Sequence, residues 1–182
     1  MPEYILRLIK EFMGMTDNED IEIYNEFSLQ HELGLFLRDN IHDYKVQFER
    51  NTSFFDICNL IKHEIDIVVF NEKCRYAIEL KYPKNGQYPE QMFLFIKDIK
   101  FMEELKHKGF DETFCLTVVD DKNFYCGKKI DGVYSYFRDN NTIHGSIVKP
   151  TGIKKETIDI YGKYKIEWKQ CNRISYYVLK LD

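Results

Sequence analysis

Proline and glycine are scarce, at 4 and 9 of 182 residues, and no internal repeat, low-complexity tract or Gly/Ser linker interrupts the chain. That excludes fibrous, collagen-like and Pro/Gly-rich disordered proteins. Long apolar runs are missing: nothing approaches the ~20 residues that a membrane-spanning helix needs. Glu3, Arg7, Lys10 and Glu11 also interrupt the start of the chain, where a signal peptide keeps an unbroken apolar centre. A cytoplasmic protein without a membrane partner is expected. Cysteine is present but without pattern. Cys58, Cys74, Cys115, Cys126 and Cys171 are odd in number, widely spaced and never arranged as CxxC, which argues against a disulfide framework or a zinc knuckle. The five histidines, His31, His42, His63, His107 and His144, show no ligand spacing, and no Gly-rich phosphate loop or Gly-x-Ser-x-Gly elbow occurs. Zinc and serine-hydrolase chemistry are therefore disfavoured.

What is present is aromatic and electrically lopsided. Phe, Tyr and Trp reach 15%, a composition suited to strand-rich packing. The net charge of −4 divides into −9 over residues 1–120 and +5 over residues 121–182. Such asymmetry suits an acidic, metal-binding side and a basic, phosphate-facing side, although solvated lysines on strand faces produce the same count.

The patterning predicts a helix over residues 3–13, then a second helix with Ser28 as N-cap. Leu29, Leu33, Phe36, Leu37 and Ile41 form its buried stripe, and Glu32 lies at the stripe's edge. Strands are expected over 44–50, 63–70 and 74–82, the last two joined by the short polar Asn71-Glu72-Lys73 as a hairpin. Pro89 opens a further helix, Gly109 closes it, and a strand follows over 112–119. Beyond Asp121 strands are expected over 133–138, 142–148, 157–160, 163–169 and 174–181. The chain thus divides into an N-terminal helical add-on (1–27), an α/β core (28–120) and a basic β-rich C-terminal extension (121–182) packed on that core.

Chemistry centres on Glu-x-Lys triplets. With 16 Glu and 20 Lys, nearly two are expected by chance, and the chain has three. Glu104-Leu105-Lys106 falls on a helix. Glu167-Trp168-Lys169, with Asp159 before it, lacks a following helix and strand. Glu79-Leu80-Lys81 lies in the expected hairpin. A turn centred between Glu72 and Lys73 sets Asp66 opposite Glu79, their β-carbons about 4.5–5.5 Å apart, with Lys81 on the same face. Opposed like charges destabilise a sheet unless a cation neutralises them, and Mg²⁺ is commonly held by one or two carboxylates. Asp66 is moreover the lone charge in an apolar run, and carboxylates are rarely buried unpaired.

A helix bearing an acid, a hairpin with Asp66 in His63-Glu64-Ile65-Asp66-Ile67-Val68-Val69 and Glu79 and Lys81 in Ala77-Ile78-Glu79-Leu80-Lys81-Tyr82, then a helix and a strand, resembles the PD-(D/E)xK nuclease superfamily. The resemblance covers residues 28–120, with no Pro before Asp66. It implies a restriction-endonuclease-like core: helix, three strands, helix and strand, with a central mixed sheet flanked by helices. It further implies a Mg²⁺-dependent endonuclease acting on DNA, with Mn²⁺ able to substitute. Asp66, Glu79, the carbonyl of Leu80 and the helix acid Glu32 would bind the metal, Lys81 would assist the attacking water, and Gln91 would be an accessory residue. Pairing into a homodimer is a further implication, since nucleases of this fold often pair to cut two strands. Lys128, Lys129, Lys149, Lys154, Lys155, Lys163 and Lys165 are candidates for phosphate contacts. The alternative is a catalytically silent relative that keeps the fold to bind nucleic acid or protein, a reading favoured by the overall acidity.

Overall fold

The computed structural model describes residues 2–18, 20–153 and 155–181. Helices α1 (Pro2–Asp17) and α2 (Glu26–Asn40) precede strands β1 (Lys45–Asn51), β2 (Glu64–Phe70) and β3 (Arg75–Lys81). The long helix α3 (Tyr88–His107) leads to β4 (Glu112–Val119), the short helix α4 (Tyr134–Arg138), β5 (Ile143–Val148), β6 (Thr157–Tyr164), β7 (Lys169–Cys171) and β8 (Ile174–Leu181). Six strands form one mixed sheet in the order β1-β2-β3-β4-β8-β7, and β5 and β6 pair as a separate antiparallel hairpin. In the large sheet β3 and β4 run parallel, joined by α3, and the other neighbours are antiparallel.

The expected hairpin register is found. Ile67 faces Ile78, Val68 faces Ala77 and Phe70 faces Arg75. The Asn71 carboxamide fixes the turn by accepting the N–H groups of Lys73 and Cys74, both at 2.9 Å. Alternation then sorts β3 between two cores: Tyr76, Ile78 and Leu80 pack toward α1 and α2, and Ala77 packs toward α3. β4 is buried along its whole length, as a strand covered on both faces must be. Ile5, Leu8, Ile9, Phe12 and Met13 of α1 are at most 1% exposed. At about 1.5–3 kcal/mol per fully buried apolar side chain, α1 is a substantial part of the α1–α2 core. Residues 121–182 serve both sides of the sheet: the β5–β6 hairpin packs on α3, and β8 completes the sheet beside β4.

Three local expectations are corrected. The second helix begins at Glu26, not after Ser28: Asn25 is its N-cap and accepts the Ser28 N–H at 2.7 Å, and the Ser28 hydroxyl accepts the Asn25 N–H at 3.1 Å in a reciprocal capping box. Residues 134–138 form a helix instead of a strand, because Val133 and Phe137 both join the α3-side core and the Arg138 guanidinium holds the carbonyls of Asn123 and Lys129. The strands expected over 157–160 and 163–169 are replaced by β6 and β7. Gly162 is an interior position of β6, where it gives its N–H to the Glu103 carboxylate at 2.7 Å and where a side chain would strike the Tyr164 ring.

Candidate functional site

The functional cluster lies where β2 and β3 part. Their paired register stops at Ile67 and Ile78, and at the next position the Asp66 carboxylate turns to accept the Leu80 N–H at 2.7 Å. Glu79, on the same strand face as Ala77, is 1% exposed and is directed toward α3. There it meets the Lys62 ammonium, which also lies 3.0 Å from Asp98 Oδ1 of α3. The Lys81 ammonium is 3.3 Å from Glu26 Oε1 and 3.9 Å from Asp98 Oδ2. Glu26, in the first turn of α2, also accepts the Tyr82 N–H at 3.0 Å, which ties the helix to the end of β3. Gln30, one turn further along α2, donates to the Asp66 carbonyl at 2.9 Å and to Glu49 Oε1 at 2.5 Å.

Four carboxylates thus surround two ammonium groups. Fully ionised, the cluster carries −2. Burial raises the Asp66 carboxyl from 3.8 to about 6, against the lowering effects of the Leu80 N–H, Lys62 and Lys81. Burial raises Asp98 as well. For Lys81, burial disfavours the charge, but the attraction of Asp98, Glu26 and Asp66 outweighs it and raises the amine above its ordinary value. Lys81 therefore stays an ammonium. Both oxygens of Glu79 and Oδ2 of Asp98 are buried, and the charge that offsets them comes from the Lys62 ammonium on Glu79 Oε1 and the Lys81 ammonium 3.9 Å from Asp98 Oδ2, while Glu79 Oε2 has no partner among the described residues.

A buried carboxylate oxygen without a partner, as Glu79 Oε2 is among the described residues, suits Mg²⁺, which keeps most of its waters and takes only one or two carboxylates from a protein. Asp66 and Glu79 are the two strand carboxylates here, with the Leu80 N–H on one oxygen of Asp66 and the Lys62 ammonium on one oxygen of Glu79. Among the described residues no three of His, Cys, Asp and Glu are grouped to hold a metal between them. No family model, curated protein or solved structure matches the chain. The functional reading therefore rests on this cluster.

Asp66 meets the Leu80 N–H, and Glu79 and Lys81 are linked through Lys62 and Asp98 rather than by the direct Asp66–Glu79 pairing expected, whereas Glu32 stands apart. No hydrogen bond or ion pair links Glu32 to the cluster among the described residues, and Glu26 is the helix acid that reaches Lys81. Six residues separate the two, about 9 Å along the axis and on a different stripe of the helix. Gln91 donates its amide to Asn85 at 3.3 Å and contacts none of the cluster's charged groups. The rival acids are dispersed: Asp159 accepts the Ser146 hydroxyl in the small hairpin, and Lys169 belongs to the large sheet. Lys128, Lys155, Lys163 and Lys165 are exposed, Lys149 pairs with Glu156 at 3.8 Å, Lys129 lies over Tyr134, and Lys154 is outside the described residues.

Sequence reasoning missed Glu26, Lys62 and Asp98. Asp98 lacked the signal that singled out Asp66: Lys97 precedes it and Lys100 follows two residues on, so it is no lone charge in an apolar run, and only the packing of α3 shows it buried. Glu26 was hidden by the misplaced cap. Lys62 lies in a loop, where periodicity is silent.

Proposed function

We propose that this protein is a Mg²⁺-dependent endonuclease that hydrolyses DNA phosphodiester bonds on a restriction-endonuclease-like core. One observation carries the reading: Asp66, the buried Glu79 and Lys81 converge where two strands of one hairpin part. The order helix, three strands, helix, strand around that point, from α2 to β4, supports the likeness of fold.

Asp66 and Glu79, with the Leu80 carbonyl, would hold the metal, and the helix acid that reaches the cluster is Glu26 in place of Glu32, acting on Lys81 and not on the metal. A bound divalent ion supplies charge neutralisation at the phosphate and a more acidic water. Lys81, gripped by Glu26 and Asp98, orients the attacking water and offsets charge on the phosphorane-like transition state. The Leu80 N–H keeps one Asp66 oxygen fixed and leaves the other free to act. Exposed Lys155, Lys163 and Lys165 supply phosphate contacts.

A second reading, a catalytically silent module that binds nucleic acid or protein, is favoured by one observation. Lys62 already sets a positive charge on Glu79. Supercoiled plasmid with Mg²⁺ or Mn²⁺ separates the two. Nicking or linearisation by the native protein, abolished in Lys81→Ala and Asp66→Ala, supports the nuclease. Folded protein that binds DNA without cutting it supports the module.

A further inference from the structure

Lys62 differs from every other charged group of the cluster in how it is held. Asp66 and Glu79 are on paired strands, and Asp98 is on a helix buried along most of its length. Lys62 comes from the irregular stretch before β2, its side chain is 27% exposed, and its Nζ lies over the Phe101 ring, 5.6 Å from the centroid. The carboxylates are fixed while the ammonium has room to leave. It sits on Glu79 Oε1 and Asp98 Oδ1, the position where a cation most effectively neutralises two buried acids.

We propose that Lys62 is the resident counter-ion of this site and competes with a divalent metal ion for Glu79, so that loading the site requires the Lys62 ammonium to swing into solvent. Asp98 is the positioning residue of this exchange. It receives Lys62 on Oδ1 and faces Lys81 through Oδ2 at 3.9 Å, and so links the departing ammonium to the one that stays. The inference rests on the metal reading above. It adds that the site's affinity is set by a lysine outside the Glu-x-Lys triplet. The sign of one substitution decides the matter. A lysine that merely supports the structure weakens metal binding when removed; a lysine that competes strengthens it.

The test is calorimetric titration of the full chain with Mn²⁺, together with melting temperatures, for the native protein, Lys62→Met, Lys62→Gln and Lys62→Arg. Removing a unit charge a few ångströms from the ligand should tighten Mn²⁺ binding about tenfold in Lys62→Met. Lys62→Arg, which keeps the charge, should stay close to the native protein. Without metal, Lys62→Met should melt lower, and most of that loss should vanish when Glu79→Gln is already present, because the two groups act as a pair. Lys62→Gln gives the same reading should Lys62→Met not fold. Native-like or weaker Mn²⁺ binding in both uncharged variants overturns the competition while leaving the metal site intact. No Mn²⁺ binding by any of the proteins overturns the metal reading and the competition together. Equal melting losses with and without Glu79→Gln would show that Lys62 is not seated on Glu79, and would also overturn it.

Discussion

Asp66 and Glu79 are carboxylates on neighbouring strands, yet their surroundings treat them differently. Asp66 has a backbone N–H on one oxygen, and Glu79 has the Lys62 ammonium on Oε1. The raised Asp66 carboxyl makes the difference measurable. Because the folded state holds its proton up to about pH 6 and an ordinary carboxyl releases it near 3.8, the folded protein binds more protons across that window. Stability therefore falls as pH rises from about 4 to 6 and levels off above it. In the presence of chelator, Asp66→Asn should match the native melting temperature near pH 4 and exceed it above pH 6. An unchanging difference across that range would refute the shift. Asp98 is raised in the same sense, so the comparison with Asp66→Asn, not the pH profile alone, isolates Asp66. At the same scale, Glu26→Gln should lower nicking activity more than Glu32→Gln, since only Glu26 grips Lys81. Equal rates for the two would remove Glu26 from the site.

Among the elements, α2 and α3 carry most of the positioning. The Asn25 cap starts α2 one residue before Glu26 and so decides where that acid points. Asn25→Ala should cost about 1 kcal/mol in denaturant unfolding, and fraying of that first turn should also slow plasmid nicking. α3 has a second duty on its other side. Glu103, 1% exposed, accepts the N–H groups of Tyr161 and Gly162 and the Tyr164 hydroxyl, and so pins β6 to the helix. Glu103→Ala strands those donors at a cost of about 1–3 kcal/mol. Hydrogen exchange should quicken over residues 157–164 before it does in β3 and β4. Uniform acceleration would mean that the hairpin and the sheet unfold as one unit.

Taken whole, the molecule separates its charges. Asp66, Glu79 and Asp98 meet at the β2–β3 junction, while Lys155, Lys163 and Lys165 are exposed on and beside the β5–β6 hairpin. If those lysines meet phosphates, DNA affinity should fall steeply with salt. Replacing both Lys163 and Lys165 by Ala should then lower the slope of log K against log salt by about 0.9 for each phosphate no longer neutralised. A slope unchanged by the double substitution would place the DNA elsewhere. No described helix is long and apolar enough to cross a membrane.

Local pattern by itself determined the alternation of β3 between two cores, the hairpin register and the run of helix, three strands, helix and strand. These depend on the period of a side-chain face and on a four-residue turn, which neighbouring residues set among themselves. The same logic brought Asp66, Glu79 and Lys81 into one place, since two paired strands are enough to do so. Only the tertiary structure decided that Glu26 rather than Glu32 faces Lys81, that Asp98 spans both lysines, that Lys62 covers Glu79 and that β8 lies beside β4. Each of these joins segments far apart in the chain. They depend on how a helix docks across a sheet and on which buried charges then find partners, and a periodic pattern carries no record of that.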